Sequence, residues 1–101
     1  MKMLMVIYRR SLDQDIRHLL KGLNVRAFTE APKVLGMGEA GHAFDSLAWP
    51  GHNVMILSAM RNEEAEHVVA ELKSFRDHLQ GLQDGAKVPL RVFTLPCEQV
   101  I

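Results

Sequence analysis

Three glycines are the residues whose spacing in this sequence most clearly suggests a ligand site. Gly36, Gly38 and Gly41 form the pattern G-x-G-x-x-G after an apolar stretch. In a dinucleotide-binding fold this pattern ends a strand and opens a helix that holds the pyrophosphate. Here no helical pattern follows, and Pro50-Gly51 signals a turn instead. The sequence therefore indicates a glycine-rich strand end, which either turns a corner or offers backbone N–H groups to an anion.

Two histidines bracket the segment that follows the glycines, and they are the side chains best suited to a metal ion. His42 and His52 lie at its two ends, and Cys97 lies near the end of the chain. Imidazole and thiolate are ligands of zinc and copper. Structural zinc sites show more tightly paired spacings, so hydrogen-bonding loop residues are the simpler interpretation. A metal-responsive protein that uses His42 and His52 stays open as the alternative.

The same segment, residues 41–53, concentrates apolar side chains in a short loop. Phe44, Leu47 and Trp49 lie between the glycines and the next apolar stretch. These side chains either fold back onto their own subunit or form a surface that a partner protein contacts. Tryptophan is enriched among the residues that dominate binding energy at interfaces. We therefore treat Phe44 and Trp49, together with His42, as candidate partner-contact residues.

Charge and composition exclude several classes of protein. The sequence has 12 basic and 12 acidic residues, so it lacks the basic excess of a nucleic-acid-binding protein. Its single cysteine, Cys97, cannot form an intrachain disulfide. The first apolar stretch is too short to span a membrane, and no cleavage site follows it, so we predict a cytoplasmic protein. Asp45, Ser46 and His52 lack the elbow and oxyanion elements of a catalytic triad, so we predict no enzymatic activity.

Hydrophobic periodicity predicts four strands and two amphipathic helices. Ser11 and Asn62 are expected to cap the helices, and Pro32 indicates an edge position or a bulge in the second strand. The order β-α-β-β-α-β is that of the α+β ferredoxin-like sandwich, an antiparallel four-stranded sheet with two helices on one face. We expect one domain over residues 1–101. The predicted strands are 3–8, 25–35, 54–60 and 90–95, with a short fifth strand at 98–101, and the predicted helices are 12–23 and 63–82.

The predicted strands are apolar on both faces, although two helices can cover only one face of the sheet. In the first strand, Met3, Met5 and Ile7 alternate with side chains that are equally apolar. A monomer would leave more contiguous apolar surface than soluble monomers normally expose. We therefore expect the uncovered face to pack against further copies of the chain. The alternative is that the long loop half covers this face.

Several motifs in this order resemble those of the PII signal-transduction proteins, the nitrogen regulatory family. The resemblance implies a ferredoxin-like subunit that assembles as a homotrimer, with an adenine nucleotide (AMP, ADP or ATP) in clefts between subunits. It also implies that the long loop docks on a transporter, an enzyme or a regulator. The motifs are Thr29-Glu30, then Val34-x-Gly36-x-Gly38 and Gly41, and later Asp84-Gly85-Ala86-Lys87 followed by Leu90-Arg91-Val92-Phe93.

Residue by residue, the resemblance assigns Gly36, Met37 and Gly38 to the backbone that borders the nucleotide, and Lys87 to its phosphate. A lysine suits phosphate because it is a compact cation on a long stem. The sequence also departs from the family. Where members carry Arg-Gln-Lys after the second glycine, this chain has Glu39-Ala40-Gly41, and its loop is shortened. The related CutA-type proteins, which share the trimeric fold, are linked to metal tolerance, and this agrees with the metal alternative.

Overall fold

A four-stranded antiparallel sheet with two helices on one face forms the framework of the protein. The structure, a computed structural model, describes residues 1–35, 37–38, 41–42 and 52–101, with backbone pairing alone for 37–38 and 41–42. The strand order is that of the ferredoxin-like fold, as the sequence predicts. In chain order the elements are β1 (Lys2–Arg9), a 3₁₀ turn (Arg10–Leu12), α1 (Asp13–Gly22), β2 (Thr29–Val34), β3 (Met37–Gly38), β4 (Gly41–His42), β5 (Asn53–Met60), α2 (Asn62–Leu82) and β6 (Leu90–Pro96), and the sheet order is β2-β5-β1-β6.

The hydrophobic core lies between the sheet and the two helices. Alternate residues of β1, namely Leu4, Val6 and Tyr8, are at most 1% exposed, because every second side chain of a strand points to the same face. Burial of such side chains supplies most of the folding free energy, at about 25 cal/mol per Å² of apolar surface. The other buried apolar residues of this cluster come from both helices, from β5 and from the segment after α1: Ile16, Leu20, Val25, Val54, Ile56, Met60, Ala65, Val68 and Leu72.

The opposite face of the sheet is apolar and carries no helix; we call it the open face. Residues opposite each other in the ladder share a face, so the pairs Met3–Leu95, Met5–Phe93 and Ile7–Met55 define it. Phe93 and Leu95 are each 47% exposed. The prediction of strands that are apolar on both faces is therefore confirmed. This face lies uncovered by any element that the structure describes.

The second strand begins later than predicted, at Thr29 rather than at Val25. The Val25 backbone N–H donates to Leu20 O over 3.0 Å and so closes α1. Farther on, Ser58 Oγ on β5 donates to Ala27 O over 2.7 Å. These bonds replace a strand ladder over residues 25–28. The expectation for Pro32 is confirmed, because β2 is an edge strand and its register shifts between Ala31 and Val34.

Three predictions about the ends of elements are wrong. Ser11 lies in the 3₁₀ turn, so the N-cap of α1 is Leu12, which makes no side-chain capping bond. Asn62 is already helical and follows the extended Arg61, so it does not cap α2. The short strand at 98–101 is absent from the described structure, since the chain leaves the ladder after Pro96, which has no N–H to donate.

The apolar stripe of α2 ends one turn earlier than predicted. Ala65, Val68 and Leu72 are buried, and Phe75 packs against the core from a partly buried position. Leu82, which the sequence places in the same stripe, is 70% exposed. The last turn of this helix therefore extends beyond the sheet that it covers. No helix among the described residues is long and apolar enough to cross a lipid bilayer.

Candidate functional site

Four strand ends meet at one end of the sheet, which we call the loop end. Asn53 at the start of β5 pairs with Val34 of β2 and with Arg9 of β1. Leu90 at the start of β6 pairs with Tyr8. The glycine segment, residues 36–41, leaves the sheet directly after Val34. The turn that carries Lys87 enters the sheet at Leu90, so the predicted nucleotide-binding residues all connect to the loop end.

Part of the glycine segment forms a small antiparallel ribbon, which the sequence does not predict. In this ribbon β3 pairs with β4 through Met37 with His42 and Gly38 with Gly41. It is separate from the four-stranded sheet. Gly36, Phe44 and Trp49 lie outside the described residues, and for Met37 and His42 only the backbone pairing is described. The roles assigned to these residues therefore stay predictions.

A tight turn after α2 sets the position of Lys87; we call residues 83–87 the basal turn. Asp84 and Gly85 have φ angles of 54° and 84°, in the left-handed region that terminates helices. Gly85 N donates to Gln80 O over 2.9 Å and so closes the helix end. Val88 is only 5% exposed and plugs the core immediately after the turn. Lys87 is exposed between these two anchors, so its backbone is fixed while its ammonium group faces solvent.

The glycine segment and Lys87 attach to opposite lateral edges of the sheet. Val34 belongs to β2 and Leu90 to β6, and these are the two outermost strands. Three interstrand spacings separate them, roughly 14 Å. Within one copy of the chain, the structure therefore does not bring the bases of these two segments together. They share one end of the sheet but not one side.

The residues considered for a metal site are separated in the same way. His52 is 8% exposed, and its carbonyl accepts a hydrogen bond from Arg10 N at 3.0 Å, so it belongs to the buried base of the loop. Cys97 N donates to Met1 O at the other end of the sheet. Strand β6 lies between them, roughly 20 Å of chain. Within the described part of the chain, no three metal-binding side chains converge. A site that uses His42 and His52 stays untested.

A polar network at the loop end was not predicted from the sequence. Tyr8 Oη donates to Asp13 Oδ1 over 2.6 Å, and Arg17 Nε donates to Asp13 Oδ2 over 2.9 Å. The same guanidinium donates through a terminal nitrogen to Glu30 Oε1. The network thus connects β1, α1 and β2. The available signals were a lone tyrosine near the end of an apolar strand, and an Asp–Arg pair at helical i,i+4 spacing.

Burial and charge act on the two ionisable groups at the centre of this network. Burial raises the pKa of the Tyr8 phenol, and the hydrogen bond to Asp13 and its negative charge raise it further. For Asp13, partial burial opposes ionisation. The hydrogen bonds from Tyr8 and Arg17 and the nearby positive charges outweigh that effect, so the pKa of Asp13 lies below its usual value. Asp13 is therefore a carboxylate that accepts from a neutral phenol and a guanidinium at neutral pH.

The network holds β2 at the last regular position before the glycine segment. Glu30 pairs with Ile56, and the register shifts just after Ala31. Pro32 has no N–H to donate to the ladder, which weakens pairing at this edge. The contact from Arg17 to Glu30 is thus the side-chain tie that fixes β2 before its irregular part. The direction in which the glycine segment leaves the sheet depends on this tie.

Comparison with known proteins agrees with this fold. The sequence matches the family model described as nitrogen regulatory protein P-II over residues 1–101. The chain belongs to the P-II family. The resemblance that the motifs suggested is therefore confirmed. Among curated protein sequences no match was found.

Solved structures of PII-like proteins share the fold of this P-II family member. CPII of Thiomonas intermedia K12, bound to ADP, AMP and bicarbonate, is 18% identical, with a TM-score of 0.64 over 93% of this chain and 84% of that one. The same protein bound to ADP, AMP and acetate gives 15%, 0.58, 97% and 88%. A PII-like signalling protein of Thermus thermophilus gives 18%, 0.57, 93% and 83%. At these identities the likeness establishes the fold alone.

The Asp13 network predicts a defined pH dependence of stability. Because the folded-state pKa of Asp13 is lowered, its stabilising effect is fully present above the unfolded-state value of about 3.9 and is lost as pH falls through the folded-state value. We expect Asp13→Asn to lower the free energy of unfolding by about 1 kcal/mol at neutral pH. The difference from the unmodified protein should vanish in strong acid. Urea unfolding at a series of pH values measures it.

Asp77→Asn is the matched control, because Asp77 lies on the exposed face of α2 and contacts only its neighbour Arg76. This variant should change stability little at neutral pH. An Asp13→Asn penalty of the same size at neutral and strongly acidic pH would show that the network does not hold an ionised carboxylate.

Proposed function

We propose that this P-II family member is a regulatory protein that binds a small anionic effector in clefts between the subunits of a homotrimer. The effector is an adenine nucleotide, AMP, ADP or ATP, or a related anion. The observation that carries the proposal is the placement of the glycine segment and Lys87 at one end of the sheet but on opposite edges. The structurally similar CPII binds ADP, AMP and bicarbonate, which supports this class of effector.

The open face supplies the driving force for assembly. Four strands about 4.8 Å apart and seven or eight residues long present a face of roughly 500 Å². That size lies at the upper limit of the apolar patches that soluble monomers expose. Packing the open faces of three copies against one another removes this surface from water. The exposed Phe93 and Leu95 then become buried contacts.

Cyclic symmetry supplies the cleft. In a ring of identical subunits, one edge of each subunit meets the opposite edge of the next. The β2 edge of one copy then lies beside the β6 edge of its neighbour. Because both edges carry their ligand-binding segments at the loop end, Gly36, Met37 and Gly38 of one copy approach Lys87 of the next. Backbone N–H groups and a flexible ammonium group together suit a phosphate.

The shortened loop reports the state of this cleft to a partner. Residues 41–53 begin inside the ribbon that borders the proposed ligand and end at the buried His52. An effector that binds better to one loop conformation than to another shifts the population of loop conformations. His42, Phe44 and Trp49 would then contact the partner, a transporter, an enzyme or a regulator. The role is regulatory rather than catalytic, and we place this single-domain protein in the cytoplasm.

Substitutions in the two halves of the cleft test the proposal. Lys87→Ala should weaken ADP binding about 10-fold or more, because it removes a charge-assisted hydrogen bond. Gly38→Glu should abolish binding, because it places a bulky anion at the phosphate. Lys73→Ala, which removes an exposed lysine from α2, is the matched control and should have no effect. Isothermal titration calorimetry measures all three, and full ADP affinity in both cleft variants would overturn the proposal.

Assembly is tested separately at two adjacent positions of β6. Phe93 lies on the open face, whereas Thr94 pairs with Leu4 on the helix side, and both are exposed. Phe93→Asp should convert the trimer to monomers, because it buries an unpaired charge at the interface. Thr94→Asp should leave the trimer intact. Light scattering gives both masses, and a monomeric unmodified protein would contradict the assembly.

A further inference from the structure

Two arginines interrupt the apolar open face at the loop end. Arg91 of β6 lies opposite Ile7 of β1 in the ladder. Arg9 follows two residues after Ile7, and its N–H donates to Pro89 O over 3.1 Å, which extends the same ladder. Arg9 and Arg91 are therefore diagonal neighbours on one face, with Cα atoms roughly 7–8 Å apart. Their long side chains can reach a common point above the sheet.

Neither guanidinium has an acidic partner within the described residues. Arg17 pairs with Asp13 and Glu30, and Arg76 pairs with Asp77, but no hydrogen bond or ion pair occupies Arg9 or Arg91 in that part of the chain. The strand positions that the structure places on the open face carry no acid. Two like charges side by side on a sheet are unfavourable. Their juxtaposition here requires a compensating anion when the face is covered.

Lys87 belongs to the same group of cations. The hydrogen bond from Arg9 to Pro89 holds the end of β1 against the residues that follow the basal turn. Lys87 precedes Pro89 by two residues and is exposed. Arg10, in contrast, points its charge toward Asp13 and helps to lower the pKa of that carboxyl. It is therefore already compensated, whereas Arg9, Arg91 and Lys87 remain available.

We infer that Arg9, Arg91 and Lys87 form an anion subsite at the loop end of the open face, which binds an oxyanion group of the effector. Guanidinium groups suit this chemistry because they donate two parallel hydrogen bonds to phosphate or carboxylate oxygens. The subsite also supplies the positive charge that the glycine segment lacks, since Glu39-Ala40-Gly41 contains no cation. This inference rests on the proposed effector function, which it extends to residues that the motifs do not identify.

The test compares Arg9→Gln and Arg91→Gln with the unmodified protein in titrations with ADP, adenosine and inorganic pyrophosphate. Each substitution should weaken ADP and pyrophosphate about 10-fold, because it removes a charge-assisted hydrogen bond. Adenosine binding should not change, because adenosine carries no oxyanion. Arg26→Gln is the matched control, since Arg26 is exposed in the segment before β2, at the opposite end of the sheet. Light scattering of each variant checks that assembly is unchanged.

The three probes separate failure of this inference from failure of the proposed function. Full ADP affinity in both arginine variants, or an equal loss for adenosine, would overturn the subsite and leave nucleotide binding standing. A change of mass in either variant would also overturn it, because the arginines would then be interface contacts. If the unmodified protein ignores ADP and adenosine but binds pyrophosphate through these arginines, the subsite stands and the nucleotide proposal fails.

Discussion

The constraint on which this structure depends is that two helices cover only one face of a sheet that is apolar on both. Leu4, Val6 and Tyr8 bury themselves against α1 and α2, whereas Met5 and Phe93 stay on the open face. Hydrophobic surface of this extent favours association with further copies. Cyclic association in turn joins opposite sheet edges, and those edges carry the glycine segment and Lys87. The proposed ligand site thus follows from incomplete coverage of one sheet.

The polar network at the loop end solves a second problem, that of holding an edge strand. Strand β2 pairs on one side only, and Pro32 interrupts its ladder. The chain Tyr8–Asp13–Arg17–Glu30 fixes this strand from the helix side before it becomes irregular. On the other face, Arg9 marks the same end of the sheet with an uncompensated charge. Rigid anchoring on one face and unpaired charge on the other suit a site that must orient an anion.

Much of the fold could be predicted from the sequence, because local periodicity determines which segments become strands and helices. The predictions failed where a distant group competes for a local one. Helix α1 begins at Asp13 rather than after a Ser11 cap, and Asp13 bonds to Tyr8 on the preceding strand. Residues 25–28 bond to Ser58 and to α1 instead of forming a strand. The separation of Gly38 from Lys87 by the width of the sheet also depends on topology, which spacing along the chain does not reveal.

The most direct test of the central claim mixes two inactive variants. If the site joins Gly38 of one subunit to Lys87 of the next, a mixed trimer of Gly38→Glu and Lys87→Ala subunits contains some interfaces with both residues intact. After co-refolding in equal amounts, random assortment should restore ADP binding at about a quarter of the interfaces. The measurement is the stoichiometry of ADP binding by calorimetry, with each variant alone as the baseline. Binding no greater than that baseline, in confirmed mixed trimers, would contradict a site shared between subunits.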